Sequence, residues 1–459
     1  MINTLMLSKM ALEYGGTIMY PDCHFQSVST DSRSLKKGQL FVALKGEKFD
    51  GHEFISLISS QASGLVVERP MSDLVMSQWV VPDTTKALGQ IAAVNRKHLN
   101  GCLIAITGSC GKTLVKEMIA AILSKTGSVL FTKGNLNNEI GVPRTLMEIR
   151  CEHNYAVIEM GARANGDIDY LCSFTKPNVV LVNNILPAHL ESFGTLSDIA
   201  KAKGEIYRNL SAGDTAVINL DESYAQMWHE STNARVLNFS INKAHADFTA
   251  KNLVLKENGS YSFILVTPEG ESAISLTLSG KHNVVNAIAA AACSYAAGAS
   301  MSSIVDGLNH LKQIPGRMNL EELPSGVTCI DDSYNANPGS VKAAIDSLVE
   351  IRSLHVLILG DMAELGDDEV SLHADIGSYA LNKGVDILLA LGPLSFYAAR
   401  EFGQSGQHFK SKQELIDYLN SSEFLNSGVL DFGSAILVKG SRFMAMDDIS
   451  QLIKKLGET

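Results

Sequence analysis

The stretch from Cys102 to Leu123, CLIAITGSCGKTLVKEMIAAIL, decides how this chain folds. Leu103-Ile104-Ala105-Ile106 is an apolar run too short for a helix and suited to a strand buried on both faces of a parallel sheet. Thr107-Gly108-Ser109-Cys110-Gly111 is a turn of small residues. Lys112-Thr113 then opens a helix in which Leu114, Met118 and Ile122 recur every fourth residue, with Val115 and Ile119 beside them. Strand, glycine turn, Lys-Thr and helix are the parts of a phosphate-binding loop. Glycines let backbone N–H groups turn inward on a phosphate chain, and the helix N-terminus adds its positive dipole end. Gly108, Ser109, Cys110 and Gly111 form the cradle, Lys112 reaches the outer phosphates, and Thr113 offers its hydroxyl to magnesium. The usual pattern begins with a further glycine, and Ile106 stands in its place.

Outward from this stretch, composition bounds the rest. A chain of 459 residues implies two to four domains. With 46% hydrophobic and 19% charged residues it has the balance of a soluble globular protein. A net charge of -11 argues against a general nucleic-acid binder, which needs a basic face, and leaves a local phosphate site possible. Seven scattered cysteines without a C-x-x-C pair fit a reduced compartment better than a disulfide framework or a zinc site. The start, MINTLMLSKMALEYGG, lacks the pattern of a secretory leader, and no apolar run is long enough to span a membrane. A cytoplasmic protein is the expectation. Nothing suggests an exposed heptad or a long apolar edge, so a monomer is expected.

Three units follow from the alternation of strands and helices. Residues 1–83 carry strands at Leu40–Leu44, Gly64–Val67 and Trp79–Val81, and Asp31-Ser32-Arg33, which reads as a turn or as a phosphate contact. Residues 84–313 hold the phosphate loop in a doubly wound parallel sheet. There Gly134-Asn135-Leu136-Asn137-Asn138-Glu139 is a polar loop able to bind carbohydrate or peptide through amides. Glu159 ends the strand Tyr155–Ile158, where ligands of open α/β sheets lie; it reads as an exposed acid or as a group facing magnesium. His189 follows the strand Val179–Val182, so Thr113, Glu159 and His189 could share a cation, although a lone histidine is usually structural. Lys201 and Lys203 read as a solvated helix face. Residues 235–278 change to a small antiparallel meander, and Asn283 and Asn286 sit where the next helix starts, as caps or ligand contacts. Residues 314–459 form a second α/β sheet, whose strand Val327–Ile330 runs into Asp331-Asp332-Ser333-Tyr334-Asn335-Ala336-Asn337-Pro338.

Taken in order, TGSCGKT, GNLNNEIGVP, Glu159-Met160-Gly161, PAHLESFG, AKAKGEI, GKHNVVNA, PGRM, DDSYNANP, LGDMAELG and KGSR resemble the Mur ligase family across the whole chain. Cys110, in a slot expected to be small and polar, and Leu186-Pro187 depart from its pattern. The resemblance implies three domains: an N-terminal UDP-substrate domain, a central P-loop ATPase and a C-terminal Rossmann-like domain. GNLNNEIGVP with DDSYNANP resembles members that join D-alanyl-D-alanine to a UDP-N-acetylmuramoyl tripeptide. That step of cytoplasmic peptidoglycan precursor synthesis spends ATP through an acyl phosphate. The resemblance further implies that Lys112, Glu159, His189 and Lys203 are catalytic. Thr113, Glu159, His189 and a carbamylated Lys203 would hold magnesium. Asn283, Asn286, Arg317 and Asp332 would contact ATP. Thr30, Ser32 and Arg33 would lie at the UDP group, Asn135, Asn137 and Asn138 at the muramoyl peptide, and Asn335, Asn337 and Pro338 at the dipeptide. Two other readings are a folylpolyglutamate-type ligase, against which DDSYNANP argues, and an ATP-driven switch, which leaves the C-terminal loops without a role.

Overall fold

The computed structural model describes residues 1, 3–46, 49–187, 193–351 and 354–458. Among these, the strand Cys102–Thr107 lies inside a parallel sheet ordered Arg235–Phe239, Thr215–Asn219, Val179–Val182, Cys102–Thr107, His153–Glu159, Ser128–Phe131. Its side chains alternate between two cores. Leu103 and Ala105 enter one with the helix Thr84–Arg96, and Ile104 and Ile106 enter the other with the helices Lys112–Leu123 and Lys281–Ala296. Burial on both faces is what an unbroken apolar run in a parallel strand requires. Each isoleucine so buried contributes roughly 1.5–3 kcal/mol.

The first unit is a smaller sheet ordered Thr17–Met19, Gln78–Val80, Gly64–Val67, Leu40–Val42, Val28–Ser29, parallel except for its first strand. Leu7, Phe25, Leu40, Val66 and Trp79 share one hydrophobic cluster with Leu88, Ile91, Leu146 and Ile158 of the second unit. Asp83 begins the connecting helix as its cap, accepting the Lys86 N–H.

The third unit is a sheet ordered Asn319–Glu322, Thr328–Asp332, Ser434–Lys439, Leu354–Gly360, Ile387–Leu391, Gly406–Phe409, with only the first strand antiparallel. Helices cover both faces, and both of its hydrophobic clusters are made of its own residues.

Several strands lie outside the sequence reading. Arg235–Phe239 pairs with Thr215–Asn219 as the edge of the parallel sheet, so the meander comprises Thr249–Leu255, Ser260–Thr267 and Gly270–Ser279. Its alternation of Arg235, Leu237 and Phe239 with Val236 and Asn238 suits an edge position and resembles the meander that follows. Asn319–Glu322 is a strand that the sequence reading does not assign, since Asn and Glu are poor strand formers.

Candidate active site

Gly111 caps the helix Lys112–Leu123 in the left-handed region at φ +75. A Cβ there would stand 2.7 Å from Asn183 Nδ2 and 2.9 Å from Asn286 Oδ1, so both conformation and space demand glycine. Asn184 shapes the turn: its backbone oxygen accepts the Ser109 N–H at 2.9 Å and its Oδ1 accepts the Cys110 N–H at 2.8 Å. Asn183 and Asn184 both donate to the Cys110 carbonyl, at 3.0 and 3.1 Å. Lys112 Nζ folds back on the Gly108 and Ser109 carbonyls, at 2.7 and 3.3 Å.

Glu159 is buried at the end of its strand. Oε2 accepts from the Thr113 hydroxyl at 2.9 Å and Oε1 from Asn137 Nδ2 at 2.8 Å. The structure thus brings together Thr113, Glu159 and Asn137, from three separate motifs. Arg317, from the third unit, donates to the same Thr113 oxygen at 3.2 Å, and its guanidinium stacks 4.0 Å from the Tyr334 ring centroid. His189 lies outside the described residues.

Lys203 is not on a solvated face; it is 2% exposed, whereas Lys201 is exposed and paired with Asp198. Burial, reinforced by the charge of Lys112, pushes the Lys203 amine down to about 7. The adjacent position on this helix is packed too: a Cβ on Gly204 would stand 2.7 Å from the Trp228 indole nitrogen.

Asn283 and Asn286 are buried behind the loop. Asn283 Nδ2 donates to the Ser279 carbonyl at 2.7 Å, Asn286 Nδ2 to Asn283 Oδ1 at 2.9 Å, and Asn183 Nδ2 to Asn286 Oδ1 at 3.0 Å. This ladder ends at Gly111, so these asparagines support the cradle. Asp332 accepts the Met318 N–H at 3.1 Å and pairs with buried Lys439, which also donates to the Asn335 carbonyl at 2.9 Å. Asn337 caps the helix Pro338–Val349 by accepting the Ser340 N–H at 2.9 Å, while its Nδ2 lies 3.2 Å from Cys110 Sγ. Pro338 occupies the first helical position, where its missing N–H costs nothing. The N-termini of two helices, one from each unit, therefore meet at Cys110.

In the first unit Thr30 and Ser32 are half-buried, while Arg33 is exposed and grips Asp31 with two hydrogen bonds of 2.9 and 2.8 Å. Those bonds, with the charges of Arg33 and Arg144, hold the Asp31 carboxyl at about 2. Arg144 belongs to the helix Gly141–Leu146 of the second unit, whose first N–H groups are met by Asn138. The tip residue Asn135 is exposed. Beside Gly161 a cavity of about 200 Å³ opens, lined by Asp83, Lys86, Glu139, Asp167 and Tyr170.

A hydroxyl and a carboxylate side by side are the hard oxygen donors that magnesium takes, so Thr113 and Glu159 fit that ion. Among the described residues no three acids, histidines or cysteines gather as a protein-only cage. Phosphate oxygens and water would complete the shell, as they commonly do for magnesium. Sequence reasoning passed over Asn183 and Asn184 as cradle supports, Lys439 as the partner of Asp332, and Tyr334 under Arg317. Asn183 and Asn184 directly follow a strand adjacent to the phosphate-loop strand, which was a usable signal.

Three family models match in register with this architecture: Mur ligase family, catalytic domain, at residues 24–97; Mur ligase middle domain at 106–294; and Mur ligase, glutamate ligase domain, at 316–442. The UDP-N-acetylmuramoyl-tripeptide–D-alanyl-D-alanine ligase of Escherichia coli is 42% identical over 453 residues, covering 98% of each chain. A crystal structure of MurF from Acinetobacter baumannii superimposes with a TM-score of 0.91 at 35% identity, covering 100% of both chains. MurF ligase from Thermotoga maritima, in complex with ADP, gives 0.81 at 25% identity, over 94% of this chain and 98% of that one. Matched from its first unit to its last by family models and full-length relatives, the chain belongs to the Mur ligase family.

Proposed function

We propose that this chain is an ATP-dependent amide ligase that adds D-alanyl-D-alanine to a UDP-N-acetylmuramoyl tripeptide, releasing ADP and phosphate. The observation that carries the reading is the hydrogen bond from Arg317 to Thr113, which joins the phosphate loop to the unit bearing Asn335, Asn337 and Pro338. The name of the Escherichia coli relative supplies the substrates, and the ADP complex of the Thermotoga maritima neighbour supports ATP as the nucleotide.

A carboxylate is a poor acyl donor at neutral pH. Transfer of the γ-phosphoryl group from ATP onto the tripeptide carboxylate forms a C–O–P bond, releases ADP and creates an acyl phosphate. The dipeptide amine then attacks the carbonyl carbon, the tetrahedral intermediate collapses, and phosphate leaves while the nitrogen loses its proton. Positioning and charge neutralisation carry most of such a reaction. Lys112 would leave the Gly108 and Ser109 carbonyls for the phosphates, and Arg317 would neutralise the transferring group from the other side. Magnesium, when bound through Thr113, Glu159, His189 and a modified Lys203, supplies charge neutralisation at phosphate oxygens. An amine near 7 is partly neutral at physiological pH, which is the form that adds carbon dioxide to give an anionic carbamate, so Lys203 would be suited to carbamylation. Asn283, Asn286 and Asp332 would border the nucleotide. Thr30, Ser32 and Arg33 would lie at the UDP group, and Asn135, Asn137 and Asn138 along the muramoyl peptide. We take unit boundaries at residues 83 and 313, a monomeric state and a cytoplasmic setting; among the described residues no helix is long and apolar enough to cross a membrane.

Phosphate release from ATP and magnesium, with each acceptor omitted in turn, tests the reading. Phosphate is expected only with both the tripeptide and D-Ala-D-Ala present, to vanish in Lys112→Ala, and to fall when bicarbonate and carbon dioxide are stripped from the buffer. Hydrolysis of ATP alone, indifferent to both acceptors, would leave a nucleotide switch instead.

A further inference from the structure

Lys116 is a lysine whose burial the proposed chemistry does not explain. It lies three residues beyond Thr113 on the same helix and is 1% exposed. A buried ammonium is tolerated only with partners. Its Nζ donates to the Thr132 carbonyl at 2.6 Å, stands 3.0 Å from Glu117 Oε1 and lies 5.5 Å from the Phe131 ring centroid.

Thr132 is itself fully buried and uses every polar group it has. Its N–H donates to the Val157 carbonyl at 3.0 Å, its hydroxyl oxygen accepts the Glu159 N–H at 3.0 Å, and its carbonyl takes Lys116. The residue is thereby fastened to the phosphate-loop helix on one side and to the backbone of Glu159 on the other. Just beyond it begins the loop that brings Asn137 back to Glu159 Oε1. Both supports of the carboxylate, backbone and amide, therefore run through a segment pinned by Lys116.

We infer that Lys116 is a positioning residue, which through Thr132 fixes where the Glu159 carboxylate stands relative to Thr113. The inference rests on the reading of Glu159 as a magnesium-facing acid. Groups that orient metal-facing carboxylates from behind commonly contribute 10- to 100-fold, roughly, in metal affinity or activity. A mere tether between helix and sheet would lower stability and leave metal affinity unchanged.

The test uses the full chain with ADP, and Mn²⁺ as a paramagnetic stand-in whose free fraction is read by electron paramagnetic resonance. Lys116→Met and Thr132→Val are each expected to weaken Mn²⁺ binding about tenfold. Each should raise half-saturating magnesium in phosphate release by a similar factor, and leave the KM for D-Ala-D-Ala in place. The double variant should be no weaker than the worse single one, because the two residues act in series. Lys116→Arg, which keeps a donor, should recover much of the loss. If Lys116→Met does not fold, Lys116→Gln takes its place with the same expected loss, while Thr132→Val, which removes one hydroxyl at nearly constant volume and keeps the carbonyl that Lys116 holds, tests the onward link to the Glu159 N–H. Glu159→Gln separates the two levels of the argument. If Glu159→Gln weakens Mn²⁺ binding while Lys116→Met and Thr132→Val bind as the wild type does, or if their losses simply add, the role of Lys116 is overturned. If Glu159→Gln also leaves binding unchanged, the reading of Glu159 fails, and that of Lys116 with it.

Discussion

Glu222 sits behind the segment that leaves the strand Val179–Val182, and its Oε1 accepts the Ile185 N–H at 3.2 Å. Burial, with a smaller contribution from neighbouring Asp221, raises its carboxyl from 4.5 to about 7. The folded state therefore holds a proton that the unfolded chain has lost between pH 4.5 and 7, and stability falls as pH rises through that window. Glu222→Gln keeps an oxygen for Ile185 and removes the charge. At pH 8.5 it should be more stable than the wild type by on the order of 1 kcal/mol after solvent screening, seen as a higher melting temperature, with the gap closing near pH 5. An equal gap at both values would show that the carboxylate is not the cause. Lys203 illustrates the complementary point. Sequence spacing placed it beside Lys201 on one helix and offered no reason to bury it. Its burial comes from packing against residues outside the helix, Phe193 among them, which no local pattern encodes.

Among the elements, the helix Pro338–Val349 has the most consequential N-terminus. Asn337 uses both side-chain atoms: Oδ1 caps the helix and also accepts from the Cys110 thiol at 3.3 Å, and Nδ2 faces the same sulfur. Asn337→Ala should cost about 1 kcal/mol of stability in urea unfolding through the lost cap. Asn337→Asp keeps the cap acceptor, loses the donor and places a negative charge against the phosphate loop. It should unfold like the wild type and yet release phosphate poorly. If the aspartate variant is fully active, the Nδ2 donor facing Cys110 has no catalytic weight. Elements of this kind were readable because their signals are local. Glycine at Gly111, proline at Pro338 and the apolar run before Gly108 each follow from backbone requirements. The edge strands Arg235–Phe239 and Asn319–Glu322 were not readable, because an edge position is set by which strand happens to lie alongside. The site followed the same division. Thr113, Glu159 and Asn137 lie in recognisable motifs, whereas the asparagine ladder behind Gly111 exists only once three distant segments are packed together.

For the whole molecule, the hydrophobic clusters predict how it comes apart. The first two units share one core, while the third has two cores of its own that take in no residue of the second and meets it through contacts that include Tyr261 to Glu350, at 2.7 Å, and Arg317 to Thr113. Calorimetry should show two transitions, one for residues before the joint at Pro315-Gly316 and one for those after it. ADP with magnesium should raise the first directly. A single transition with equal calorimetric and van't Hoff enthalpies would mean that the interface couples the units more tightly than their cores suggest. The same division bears on how selectivity is distributed. On the proposed assignment, the donor half of the reaction is built on a two-unit body held by a common core, and the loop Asp331–Pro338, which would receive the incoming amine, rides on a body that is internally complete. Recognition of the two substrates is therefore separable by inheritance as well as by geometry. An exchanged third unit, grafted at the joint, would carry a new choice of amine to an unaltered nucleotide and donor site, provided that an arginine still reaches Thr113.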